Sequence, residues 1–165
     1  MSESVEQAVA AFLGDAVIDW EKLKPVMCFV VLWNRLEVKH GQHLNLARLE
    51  RSAKSAVAST SFDISRYEPH VVFFQERYRN SQERLSGLIR TGKEPVVKQR
   101  LDDLVAGNLK DANDILVAVL MVPYRIRNNL FHGRKDTFEL YSQTELFTHV
   151  NEVLCLFHAD LNGGE

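Results

Sequence analysis

The chain has 165 residues, of which 45% are hydrophobic and 25% are charged, and its formal net charge is −2. These values are ordinary for a soluble globular protein about one domain long. The near-neutral charge gives no chain-wide nucleic-acid signal, so an RNA site has to rest on a local patch. The longest apolar run, Val26 to Trp33, is far shorter than the roughly 18 residues that cross a bilayer.

Signals for export and for cysteine chemistry are weak. The N-terminal segment carries acidic residues where a signal peptide carries basic ones, so we expect a cytoplasmic protein. Cys28 and Cys155 both fall inside apolar helical patterns, which predicts two buried free thiols. Two cysteines in a chain of this length do not indicate a disulfide framework or a cysteine metal site.

Proline, glycine and apolar periodicity predict helices and no convincing sheet. Pro25 opens or kinks a strongly apolar helix, and Asp111 or Asn113 is expected to cap the most apolar one. The expected fold is an all-α bundle of about five to seven helices in a single domain, residues 1–165. The predicted helices are Ser4–Leu13, Pro25–Lys39, Asn45–Ser59, Glu68–Leu88, Pro95–Ala106, Asp111–His132 and Ser142–Leu161, the last with capping-box spacing between Ser142 and Glu145.

The run RIRNNLFHG, Arg125 to Gly133, ends the predicted helix Asp111–His132. Arg127 and His132 have the spacing R-x-x-x-x-H, and Asn128 follows the arginine directly. At about 100° per residue, Asn128 and His132 lie away from the main apolar stripe of this helix. That stripe consists of Ile115, Val119, Val122, Ile126 and Leu130.

The arc opposite that stripe is also apolar in the first half of the helix, where it carries Val117, Leu120 and Met121. A helix that is apolar on both sides is usually buried on both sides. We expect a second copy of the chain to cover one side, which would place two Arg127–His132 runs in one cleft. The alternative is that helices of the same chain cover both sides.

These residue types suit RNA cleavage without a metal, in which the 2′-hydroxyl attacks the adjacent phosphorus. His132 is the expected acid or base, because histidine exchanges protons near neutral pH. Arg127 is expected to hold phosphate oxygens, and Asn128 an imidazole tautomer or a phosphate oxygen. Arg125, Arg134 and Lys135 are predicted phosphate contacts, since the segment from Arg125 to Lys135 contains no acidic residue.

The run RIRNNLFHG resembles the signature of the HEPN superfamily (higher eukaryotes and prokaryotes nucleotide-binding domain), many of whose members are metal-independent ribonucleases. The resemblance implies a helical bundle that dimerises through this region, with Arg127, Asn128 and His132 in a composite cleft. It implies an endoribonuclease that leaves 2′,3′-cyclic phosphate ends and acts as a toxin or defence effector. The string LWNRLE resembles the family's partner helix, which implies supporting roles for Asn34 and Glu37; an ordinary surface face is the alternative.

Some members of the family are toxins that a partner nucleotidyltransferase inactivates by adenylylating a tyrosine two residues after the histidine. The resemblance therefore implies a cognate antitoxin such as a nucleotidyltransferase, but Arg134 occupies the tyrosine position here. Two alternative functions remain open. One is a HEPN-like module that binds a nucleotide, RNA or protein without cleavage. Another is a structural subunit in which Arg127 pairs with an acid and His132 only opposes the helix dipole.

Two further patterns are weaker. The region from Glu76 to Arg100 is net positive, which fits either an RNA-guiding surface or a solvated helical face. His149 and Glu152, with Glu145 one turn earlier, have metal-ligand spacing, but no matching acid-x-x-His pair is evident on another helix. We therefore expect no metal and no cofactor.

Overall fold

The computed structural model describes Gln7 and residues 19–40, 44–89, 95–131 and 140–163. Within these ranges the chain forms seven α-helices, one short 3-10 helix (Ile64–Tyr67) and no strand, which confirms the all-α prediction. The predicted helix Ser4–Leu13 lies outside the described residues, apart from Gln7. The helices are α1 (Trp20–Lys39), α2 (Leu46–Val57), α3 (Glu68–Arg79), α4 (Gln82–Leu88), α5 (Pro95–Ala106), α6 (Ala112–Phe131) and α7 (Thr144–Asn162).

Side-chain caps set the starts of several helices. Asp19 caps α1 by accepting the backbone N–H of Lys22 at 3.2 Å, so Pro25 lies inside this helix and does not open it. Asn45 caps α2 in the same way, at 3.0 Å. Asp111 caps α6 by accepting the backbone N–H groups of Asn113 and Asp114 at 2.9 and 3.2 Å. Of the two predicted caps of α6, Asp111 is therefore the one that forms.

Two predicted helix boundaries are wrong. The expected helix Glu68–Leu88 is interrupted between α3 and α4, because Ser81 adopts an extended backbone and its hydroxyl accepts the N–H of Arg84 at 3.3 Å. The expected capping box at Ser142 is not used. α7 begins at Thr144 instead, and its N-cap residue Gln143 makes no side-chain cap bond.

α6 runs through the centre of the bundle, next to α2, α4, α5 and α7. Every side chain from Leu116 to Val122 is buried. Val117, Leu120 and Met121 are therefore covered by helices of the same chain, and the inference that their arc needs a second copy is wrong. The alternative of cover by the same chain is correct. The full apolar circumference of α6 reflects a central position, not an external partner.

α1 presents an unusual outer surface. Of the seven large hydrophobic side chains exposed among the described residues, five lie on α1: Trp20, Met27, Val30, Val31 and Val38. Trp20, Met27, Val31 and Val38 fall within about 40° of arc on a helical wheel and are called the α1 stripe below. The inner face of α1 packs on α7, with the rings of Phe29 and Phe147 5.5 Å apart.

The two cysteines differ from expectation. Cys28 on α1 and Cys155 on α7 are both exposed free thiols, so the prediction of burial is wrong. Phe29 beside Cys28 and Leu154 beside Cys155 are buried, whereas the cysteines themselves are exposed. Burial of part of its surface nevertheless raises the pKa of the Cys155 thiol.

Among the described residues, no helix combines the length and the apolar character that crossing a lipid bilayer requires.

Candidate functional site

The predicted site residues are distributed over two helices and one segment outside the described ranges. Arg127 and Asn128 lie near the C-terminal end of α6, and Asn34 and Glu37 lie near the C-terminal end of α1. His132, Arg134 and Lys135 fall outside the described residues, so their predicted roles as acid or base and as phosphate contacts stay predictions.

Arg127, Asn128 and Glu37 come together. The Nη2 atom of Arg127 donates to the Oε1 atom of Glu37 at 3.1 Å and lies 3.5 Å from Oε2. The Nη1 atom of Arg127 donates to Oδ1 of Asn128 at 3.2 Å. The side chains of Arg127 and Glu37 are 29% and 19% exposed, so the ion pair is only partly solvated. Such charge-assisted bonds are shorter and stronger than neutral ones.

Aromatic packing one turn earlier positions this pair. Trp33 is buried on α1, and its ring centroid lies 6.2 Å from that of Tyr124 on α6. Glu37 follows Trp33 by four residues and Arg127 follows Tyr124 by three. Each charged residue therefore lies one helical turn after the aromatic residue, on the same face of its helix. The aromatic contact therefore fixes the separation at which the two charges meet.

Asn34 does not join this group. Its side chain is exposed, and no hydrogen bond or ion pair within the described ranges links it to Arg127 or Glu37. On α1 it lies about 20° outside the arc of the α1 stripe, between Val31 and Val38 in the sequence. Of the two predicted supporting residues, the structure places Glu37 beside Arg127 and Asn34 on the outer surface.

The arrangement suits the binding of an anion. Arginine stays charged, and a guanidinium held by a carboxylate and an amide keeps a fixed plane, which is what bidentate contact with phosphate requires. The C-terminal end of a helix carries partial negative charge, which also favours a cation there. Glu37 neutralises part of the charge of Arg127. A phosphate would therefore have to displace Glu37 or bind to Arg127 beside it.

Arg125 requires a correction. Its side chain is 2% exposed and its Nε atom donates to the backbone oxygen of Leu88 at 2.6 Å. Beside it, Nδ2 of Asn129 donates to the backbone oxygen of Gly87 at 2.7 Å. Both oxygens belong to the last turn of α4, where carbonyl groups lack intrahelical partners. The guanidinium of Arg125 thus joins α6 to α4 inside the bundle and is not at the surface, where the predicted phosphate contact needs it.

A cavity of about 790 Å³ lies across α6 from Arg127. Ile126 and Asn129 line it, and their mean direction on the helix is roughly opposite to that of Arg127 and Asn128. Its other side is formed by the end of α3, by α4 and by the start of α7. The lining residues on and between α3 and α4 are Arg77, Tyr78, Asn80, Ser81, Glu83, Arg84, Gly87 and Leu88, and those at the start of α7 are Ser142, Gln143 and Leu146. Part of the net-positive region from Glu76 to Arg100 therefore borders a concave site, which sequence reasoning did not locate.

A second polar cluster adds His70, which sequence reasoning missed, to His149 and Glu152, whose spacing it had noted. His70 on α3 meets His149 and Glu152 on α7, with the Nδ1 atoms of the two histidines 3.0 Å apart. Burial lowers the pKa of His70, the nearby His149 lowers it further, and Glu152 opposes the shift. The sequence does contain a signal, because His70 continues the buried stripe of Tyr67, Phe74 and Tyr78 at helical spacing.

Comparison of the chain with protein-family models, with curated protein sequences and with solved structures finds no match. The resemblance to the HEPN superfamily therefore rests on the residues of the run RIRNNLFHG and stays a prediction.

Proposed function

We propose that this chain is a metal-independent endoribonuclease of HEPN type, a toxin or defence effector that acts in the cytoplasm as a homodimer. The observation that carries the proposal is the Arg127 guanidinium, held at 3.1 Å by Glu37 and at 3.2 Å by Asn128 near the end of α6. His132 follows Arg127 by five residues in the sequence. A fixed cation, together with imidazoles that supply a base and an acid, is what phosphodiester cleavage without a metal requires.

The proposed reaction is an internal displacement. The ribose 2′-oxygen loses its proton to a base and forms a bond to phosphorus, while the bond from phosphorus to the 5′-oxygen breaks and that oxygen takes a proton from an acid. Arg127 stabilises the charge on the non-bridging oxygens. One copy of His132 serves as the base or the acid, and we assign the second role to His132 of the second copy in a composite cleft.

Support for a homodimer comes from α1 rather than from α6. Met27, Val31, Asn34 and Val38 repeat at intervals of four, three and four residues on the exposed side of a helix about 30 Å long. This spacing is typical of a helix that pairs with another helix, and a polar residue within such a stripe commonly sets register. Glu37 lies next to this surface and contacts Arg127. If the α1 helices of two copies pair, the Arg127 residues of both copies therefore lie near the dimer axis.

Cleavage of RNA in the presence of a chelator tests the reaction. The wild-type protein should cut tRNA or mRNA and leave 2′,3′-cyclic phosphate ends. His132→Ala should lower the cleavage rate by at least roughly 10²–10⁴-fold, which is the usual size of one general acid–base contribution, because the variant dimer loses both imidazoles. His158→Ala is the matched control, because His158 lies on α7 outside the run and should leave the rate unchanged. A fully active His132→Ala variant would refute the mechanism.

The oligomeric state is tested separately. Light scattering should give about twice the mass of one chain, and Val31→Asp should yield a folded monomer, since a charge on the α1 stripe cannot be desolvated at low cost. Val72→Asp is the control, because Val72 is also exposed but lies on α3. A wild-type monomer that cleaves RNA would exclude the composite cleft. The active site that contains Arg127 would then have to be complete within one chain.

The second candidate function is a binding module without nuclease activity, and the cavity beside α4 is the observation that favours it. Arg77 and Arg84 against Glu83 leave a net positive lining, with amides from Asn80 and Asn129. Such a lining suits a nucleotide or an RNA phosphate. This candidate gains support if RNA or a nucleotide raises the melting temperature without being cut, and if Arg84→Ala removes the effect while Arg127→Ala does not.

A further inference from the structure

Three metal-ligating side chains from two helices converge at one point between α3 and α7. The Nδ1 atoms of His70 and His149 are 3.0 Å apart, and Nδ1 of His70 lies 3.8 Å from Oε2 of Glu152. One ligand atom from each of the three residues can be chosen so that all lie within 4.8 Å of one another. The cluster uses none of the residues assigned to RNA cleavage and does not depend on the proposed function.

The spacing is close to that of a coordination sphere. Zinc binds histidine nitrogen at about 2.0–2.1 Å, so two such nitrogens in a tetrahedral site lie about 3.3–3.4 Å apart. The nitrogen pair has to open by a few tenths of an ångström from 3.0 Å, which a small rotation of the two imidazole rings supplies. The carboxylate oxygen lies 3.8 Å from Nδ1 of His70 and within 4.8 Å of the ligand atom of His149. Rotation of the exposed Glu152 side chain brings it closer to both nitrogens.

The surroundings hold the two imidazole rings in place. The ring of His149 stacks on Phe73 with centroids 3.8 Å apart and planes at 10°, and the ring of His70 stands nearly perpendicular to it at 79°. His70 is 5% exposed, whereas the Glu152 side chain is 58% exposed. One side of the cluster is therefore dry and rigid, and the other is open to solvent, which gives an ion an access route and a position for a water ligand.

We propose that His70, His149 and Glu152 form a Zn²⁺ site that joins α3 to α7 and keeps its fourth position for water. Two nitrogens and one carboxylate oxygen are a donor set that zinc accepts in open sites. Mg²⁺ and Ca²⁺ prefer oxygen ligands throughout, so they should not compete. Without an ion, the two imidazoles share one proton in an ordinary hydrogen bond, and a purely structural pair of this kind is the rival account.

The test is a zinc titration of the full chain after treatment with a chelator. One Zn²⁺ should bind per chain, and the melting temperature should rise by roughly 5–10 °C at a hundredfold excess over the dissociation constant. Mg²⁺ at the same concentration should leave the melting temperature unchanged. Co²⁺ should give the visible absorption spectrum of a four-coordinate site with nitrogen ligands.

Two variants separate coordination from packing. Glu152→Gln alters an exposed side chain, so the metal-free protein should keep its melting temperature while zinc affinity falls by at least about tenfold. His149→Gln should abolish the one-to-one binding. Glu145→Gln and His158→Gln change the same residue types elsewhere on α7 and should bind zinc as the wild type does. Absence of saturable binding, or equal affinity in Glu152→Gln, His149→Gln and the wild type, would overturn the proposal.

Discussion

Arg125 and Arg127 are two residues apart on α6, yet they are placed in opposite environments. Arg125 is buried and donates to a backbone carbonyl of α4, whereas Arg127 is partly exposed and pairs with a carboxylate of α1. Two residues correspond to about 200° around a helix, so the two guanidinium groups point to different sides. Within the run RIRNNLFHG, the role of a residue therefore depends on the helix face it occupies more than on its residue type.

The same division holds for the two asparagines that follow. Asn128 accepts a hydrogen bond from Arg127, and Asn129 donates to the backbone of α4. On one side of α6, side chains contact backbone groups that need partners, which is an interaction that stabilises the fold. On the other side, the Arg127 guanidinium contacts the side chains of Glu37 and Asn128, which a ligand can rearrange. We assign stability to the first side and phosphate binding to the second.

Arg125→Met should show the largest loss of stability. It leaves the Leu88 carbonyl buried without its donor, so the free energy of unfolding should fall by about 2–4 kcal/mol. Arg100→Met is the control, because Arg100 is more exposed and pairs with Glu50 and Asp114 near the surface, and it should cost less than about 1 kcal/mol. Urea unfolding measures both. Equal losses of unfolding free energy in the two variants would contradict the assignment of stability to the side of α6 that carries Arg125.

The asparagine pair gives a finer comparison. Asn129→Ala removes the bond from a buried side chain to the Gly87 carbonyl and should cost about 1–3 kcal/mol. Asn128→Ala removes a partly exposed bond and should cost less than about 1 kcal/mol, while it weakens RNA cleavage. Unfolding and cleavage should be measured on the same preparations. A larger loss of stability in Asn128→Ala than in Asn129→Ala would reverse the assignment of the two sides.

A double-mutant cycle on Glu37 and Arg127 measures the ion pair itself. The pair is partly buried, so we expect a coupling free energy of about 0.5–1.5 kcal/mol, somewhat above that of an exposed pair. Lys98 and Asp102 on α5 are the more exposed reference, with an expected coupling below about 0.5 kcal/mol. A coupling of several kcal/mol would instead mark Arg127 as a structural residue like Arg125.

The smallest expected effect concerns pH and the end of α1 that carries Glu37. Burial, followed by the charges of Lys39 and His158, lowers the pKa of His40 below its ordinary value of 6.5. The unfolded chain therefore takes up a proton before the folded chain does, and the free energy of unfolding falls as the pH drops below about 6.5. His40→Gln should reduce this fall in urea unfolding between about pH 7.5 and 5.5. An unchanged pH dependence would mean that His40 is not held as the structure shows.

Local signals predicted much of the fold. α5 begins at Pro95 and ends at Ala106, as proline at the start and Gly107 at the end indicate, and Gly107 adopts a φ of 76° that favours glycine. The break at Ser81 was missed because apolar periodicity continues across it. The cover of Val117 by the same chain depends on packing between distant segments, which periodicity does not report.

The site was predicted only in part, because local sequence signals report single segments and not the packing between them. The run around Arg127 and the string containing Glu37 both stand out locally, and the structure brings these two residues together across 90 positions of the chain. The burial of Arg125 follows from the placement of α4, and the cluster of His70 with His149 and Glu152 follows from the packing of α3 on α7. Single segments show only the spacing of His149 with Glu152 and the place of His70 in a buried stripe, and the run that contains Arg125 shows no sign of its burial.

Stability and RNA cleavage should be measured together in Arg127→Ala, because they separate a phosphate-binding role from a structural one. This variant should lose less than about 1.5 kcal/mol of unfolding free energy and at least about a hundredfold in cleavage rate. Arg100→Ala, the matched salt-bridged arginine, should keep the wild-type cleavage rate. An Arg127→Ala variant that unfolds readily, or one that stays folded and cleaves RNA at the wild-type rate, would contradict the assignment of Arg127 to phosphate binding.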